Sequence, residues 1–95
     1  MKYIERIKTL ILHEMQGEDA SVFLFGSWAR GEARRSSDVE VAIEYHVPSD
    51  RRKIAHVREA LEESTIPYIV DVVDMQEAST ALVKEIRKDG IVWKA

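Results

Sequence analysis

The chain has no cysteine among its 95 residues, which excludes disulfides and metals held by thiolates. No apolar run approaches the ~20 residues that a membrane span needs. Neither sign of charge dominates: 14 Lys and Arg stand against 17 Asp and Glu, for a net −3. That balance argues against general nucleic-acid binding. The three histidines, His13, His46 and His56, are widely spaced and show no metal-ligand pattern, so they read as surface or packing residues. Repeats, low-complexity segments and long linkers are also missing, which leaves one domain over residues 1–95 as the expectation. A chain this short buries a limited share of its surface, so a marginal core, an oligomer or a partner subunit is expected. Glu5, Lys8, His13 and Glu14 interrupt the apolar N-terminal stretch and no small-residue cleavage site follows. That stretch therefore reads as a helix of a cytoplasmic protein.

Hydrophobic residues are 45% of the chain, and their spacing is regular. Ile4, Ile7, Leu10, Ile11 and Met15 recur at helical intervals up to Gly17. Ser21 to Phe25 reads as a strand. Trp28 to about Arg34 reads as a short helix capped by Ser27. Asp38 to Tyr45 alternates strictly and reads as a second strand. Pro48-Ser49-Asp50 opens a helix with Ser49 as cap and Ile54, Val57 and Leu61 as its stripe. Pro67 precedes a third strand, Tyr68 to Val73. Asp74 with Glu77 reads as a capping box for a last helix that buries Ala78, Leu82, Val83 and Ile86 and ends at Gly90. Ile91-Val92-Trp93 can add a terminal strand. Strands alternating with helices predict an α/β (α+β) chain, a small sheet covered by helices. For the end of strand one at Gly26 to meet the start of strand two at Asp38, the two strands must be antiparallel neighbours. A purely parallel sheet is therefore not expected.

Chemistry concentrates between Leu24 and Tyr45. Asp38 and Glu40 are two apart on a strand, so both side chains leave one face, with α-carbons ~6.5–7 Å apart. Carboxylates so placed can converge on two metal ions ~3.5–4 Å apart. Hard divalent ions such as magnesium take oxygen ligands, and phosphate oxygens fill the remaining positions. Asp71 is a third candidate, an acid inside an apolar strand, where burial is costly without a partner or a metal. Asp74 competes with it but has a capping role. Gly26 lets the backbone turn sharply and a ligand approach closely. Amides at the start of the short helix, and the Ser27 hydroxyl, would favour an anion. Arg30 lies one turn further on and could reach a phosphate oxygen. Trp28 could stack on a base or simply pack in the half-buried helix. Arg51-Arg52-Lys53 reads as a solvated first turn.

Taken together, Gly26-Ser27-Trp28-Ala29-Arg30-Gly31 and Ser37-Asp38-Val39-Glu40 resemble the GSxARG…SDxD signature of the minimal nucleotidyltransferases, MNT proteins of the DNA polymerase beta superfamily. Ile69 to Asp74 resembles that family's third-acid strand, and Ile86 to Trp93 resembles its tail. The resemblance implies a nucleotidyltransferase fold with a small mixed β-sheet. It implies that Gly26, Ser27 and Arg30 bind the triphosphate, most simply of ATP, and that Asp38, Glu40 and Asp71 are the catalytic ligands of two Mg2+ ions. It also implies transfer of a nucleoside monophosphate to a protein, with a helical HEPN-type toxin as partner and this chain as the antitoxin. One departure stands out: the second acid is usually aspartate, and here it is Glu40. Two other readings stand beside this one; Glu40 favours the first, and 95 residues, which leave no evident acceptor-binding domain, rank the second last. One is a non-catalytic module that binds nucleotide and partner; the other is a transferase acting on a small molecule.

Overall fold

The computed structural model describes residues 2–48 and 50–95. Helix α1 spans Lys2–Glu14 and leads into strand β1, Ala20–Phe25. Strand β2, Val39–Tyr45, and helix α2, Arg52–Glu63, follow. Strand β3, Val70–Asp74, helix α3, Thr80–Asp89, and strand β4, Ile91–Lys94, complete the order. The strands form one sheet in the order β3-β2-β1-β4. β1 is antiparallel to β2 and to β4, while β2 and β3 run parallel. The sheet is therefore mixed, and its β1–β2 pair is antiparallel, as the ends of those two strands require.

Alternation along the strands builds two apolar layers. Val22 and Leu24 of β1, Val39, Val41 and Ile43 of β2, and Val72 of β3 join Ile7 and Ile11 of α1 and Ile54 and Val57 of α2 in the larger core. The opposite parity, Phe25 and Ala42, packs with Met75 and with Ile86 of α3. So α1 and α2 cover one face of the sheet and α3 covers the other. The sheet-facing stripes of the three helices are the ones that periodicity indicates, except that Ala78 lies in the turn ahead of α3, and burying an aliphatic side chain of this size is worth about 1.5–3 kcal/mol.

Three local expectations need correction, and a fourth falls outside the described residues. No helix forms after Ser27. Gly26 O accepts from the amides of Ala29 (3.1 Å) and Arg30 (3.2 Å), and Ser27 O accepts from Glu32 (2.9 Å), which makes one hydrogen-bonded turn. Gly31 then takes a left-handed φ of 72°, which ends the winding. Asp74 does not cap a helix: it ends β3, and Ser79 caps α3 by accepting from the Leu82 amide at 3.1 Å. β3 begins at Val70 rather than Tyr68, because its partner β2 begins at Val39, which stands opposite Val70; the Tyr68 ring packs edge-on to Trp28 and Tyr3. The expected Ser49 cap lies outside the described residues. Among them, Asp50 Oδ1 accepts from the Arg52 amide at 2.9 Å beside the start of α2.

Candidate functional site

The antiparallel register sets Phe25, the last residue of β1, opposite Glu40. The Gly26-Ser27 turn therefore begins beside the acidic stretch of β2. The parallel register sets Glu40 opposite Asp71. Both share the parity of Ala42 and Val73, so they stand on the α3 face of the sheet. Asp38, exposed just ahead of β2, has the parity of Glu40. Asp74 has the opposite parity and serves elsewhere. It is 9% exposed, and it accepts from Arg51 Nε at 2.9 Å and from the Gln76 amide at 3.0 Å. Register alone thus separates the two acids of β3 that spacing left in competition. Asp71 is exposed, because β3 is an edge strand, so burial is not what makes it notable.

Gly26 has φ 75°, and a Cβ built there would lie 1.8 Å from Glu40 Oε2. The glutamate carboxylate is folded onto the bare α-carbon of the turn. Burial pushes the Glu40 carboxyl above its ordinary value, and negative charge from Glu85, Asp71 and Asp38 pushes the same way against the pull of Arg30. A carboxylate crowded by others is a cation-seeking group. The donors Asp38, Glu40 and Asp71 are all hard oxygens, which suits a divalent ion such as Mg2+. Among the described residues, however, no three His, Asp or Glu side chains converge closely enough to hold one. Glu40 leans toward Gly26, while Asp38 and Asp71 point into solvent.

Arg30 is exposed at the rim. Its Nε donates to Glu32 at 3.0 Å, and its Nη1 lies 3.8 Å from Glu85. The hydrogen bond to Glu32, with the nearby charges of Glu85 and Asp89, raises its pKa. Ser27 sits half-buried at the head of the turn. With no helix behind it, the turn offers an anion its own amides but no helix dipole. Trp28 packs within the chain. Its Nε1 donates to Ser37 O at 3.1 Å, and its ring meets Tyr68 edge-on at 5.7 Å. Ser37 in turn accepts at Oγ from the Arg34 amide at 2.9 Å. These contacts tie the Gly-Ser turn to the residue preceding Asp38. Sequence reasoning missed Glu85: the α3 stripe shows that the helix docks, but not which face of the sheet it covers.

The family described as polymerase beta nucleotidyltransferase matches residues 5–94. The chain belongs to that family. Its minimal branch is the one that the residue 26–31 and 37–40 motifs resemble. A protein named "Probable protein adenylyltransferase MntA" from Haemophilus influenzae is 35% identical over 74 residues, which is 78% of this chain and 65% of that protein. This chain thus spans slightly less than two thirds of that relative's length. A crystal structure of a toxin–antitoxin with AMP-PNP is 25% identical, with a TM-score of 0.71 over 90% of this chain and 71% of that one. A structure of a candidate minimal nucleotidyltransferase is also 25% identical, with a TM-score of 0.73 over 95% of this chain and 92% of that one. The nucleotidyltransferase fold is thereby shared across the sheet and its helices. Among the described residues, no helix is long and apolar enough to cross a membrane.

Proposed function

We propose that the chain transfers AMP from ATP to a hydroxyl group of a protein partner, a helical HEPN-type toxin for which it acts as antitoxin. The observation that carries this reading is the Glu40–Asp71 register pair, with Asp38 on the same face, beside the Gly26-Ser27 turn. Gly26 and Ser27 would receive the triphosphate tail and Arg30 would bond a phosphate oxygen. Asp38 and Glu40 would hold two Mg2+ ions, with Asp71 completing the ligand set on the acceptor side. Bound there, the ions would offset charge on the transferring phosphoryl group. The acceptor oxygen forms a bond to the α-phosphorus as the bond to pyrophosphate breaks. The named adenylyltransferase relative and the toxin–antitoxin structure with AMP-PNP support the donor and the partner class.

One observation favours a second reading, a partner-binding module with weak catalysis. The Glu40 carboxylate lies over Gly26, where the triphosphate would approach. Incorporation of labelled AMP into a co-purified HEPN partner separates the two. Under the first reading, wild type labels the partner, Asp71→Ala abolishes labelling, and Glu40→Asp lowers it because the shorter acid falls short. If Glu40→Asp instead raises labelling, glutamate marks a weakened site. Tight partner binding with no labelling by any variant would support the module.

A further inference from the structure

Arg30 is held from two directions. Glu32 lies two residues along the same loop, so its 3.0 Å bond moves with the loop. Glu85, 3.8 Å away, comes from α3, a different element anchored through the neighbouring residue Ile86 in the core of that face. The pair with Glu85 is therefore the contact that ties Arg30 to α3 rather than to its own loop. The two charges act oppositely on one group: Arg30 relieves the crowding of Glu40 and Glu85 adds to it.

We propose that Glu85 is a positioning residue for Arg30: before nucleotide arrives it holds the guanidinium at the rim of the Asp38–Glu40–Asp71 face as that face's counter-charge, and it gives the guanidinium up to the triphosphate. The inference rests on the nucleotide-binding reading above. An exposed ion pair is weak, so the exchange is easy, and a triphosphate competes well because guanidinium bonds to phosphate are charge-assisted. Without metal, Arg30 is the positive charge that acts on Glu40, so its release matters most to an anion that arrives metal-free.

The test is calorimetric binding of ATP, with EDTA and with Mg2+, to wild type, Glu85→Gln, Arg30→Ala and the double variant, each checked by circular dichroism. Glu85→Gln releases Arg30 from α3 and leaves it only the Glu32 bond within its own loop, and metal-free ATP should bind about two- to fivefold tighter, the range set by the strength of an exposed pair. The gain should be smaller with Mg2+. In the Arg30→Ala background it should vanish, because coupled residues do not add. A gain of equal size in that background would mean that Glu85 merely repels the anion, and would overturn the proposal. So would wild-type affinity in Glu85→Gln. Failure of wild type to bind ATP even with Mg2+ would overturn the nucleotide reading itself, and this inference with it.

Discussion

Glu40 differs from aspartate by one methylene, and that methylene carries the carboxylate onto Gly26. The glycine is required twice over. Its φ of 75° costs a residue with a Cβ about 1–2 kcal/mol, and the same Cβ would displace the Glu40 carboxylate. Gly26→Ala should therefore destabilise the protein by at least about 1 kcal/mol in urea denaturation. In a Glu40→Ala background the contact is gone but the backbone strain persists, so the penalty should shrink without disappearing. An equal penalty in both backgrounds would mean that the carboxylate moves aside freely. No penalty in either would refute the strain argument. Sequence spacing could foresee that Gly26 and Glu40 come near each other. It could not foresee that one side chain rests on the other, since that depends on a rotamer.

At the scale of elements, periodicity was informative and N-capping was not, although Gly90 does end α3 as its C-cap. The stripes of α1, α2 and α3 are set by burial, a force that repeats through the whole helix, so they are legible from the chain. Ends depend on single hydrogen bonds, and several acceptors compete for each. Asp74-x-x-Glu77 looked like a cap, yet the pull of β3 on Asp74 leaves the role to Ser79. Ser79→Ala should cost about 1 kcal/mol, whereas Glu77→Ala should be nearly neutral. Helix α3 is also tied to β2 by Arg87, which grips both oxygens of Glu44, one bond being 2.8 Å. That hydrogen bond holds the Glu44 carboxyl below its ordinary value. A lowered acid contributes stability above its unfolded value, and the contribution is lost as pH falls through the folded one. The pair is partly exposed, so it is worth at most about 1 kcal/mol. Thermal melts should show Glu44→Gln less stable than wild type at pH 7, with the gap closing below the ordinary glutamate range. A gap independent of pH would assign the effect to packing.

Across the whole molecule the sheet separates two tasks. The α1–α2 side holds the larger core, and the α3 side holds a smaller one with the acids at its rim. Family and fold class were legible, and so was the approach of the Gly26-Ser27 turn to Glu40, because motif order along the chain becomes adjacency through the β1–β2 register. The role of α3 was not, because a helix following an edge strand can return over either face. The division has a consequence that can be measured. A ligand that binds only the folded state raises stability by an amount set by its own affinity, whatever the starting stability. Ile11→Val, on the α1 side, should lower stability by about 0.5–1.5 kcal/mol and leave the Mg2+-induced stabilisation unchanged. Asp71→Asn, exposed on the other face, should leave stability in EDTA near wild type and lose the Mg2+ response. The comparison is made in ~0.15 M salt, where surface charges farther apart than about 8 Å are largely screened and general ionic effects are small. If Asp71→Asn keeps the full Mg2+ response, the ion is not held at this rim. If Ile11→Val loses it, the two faces are not independent, and the site depends on core packing that spans the sheet.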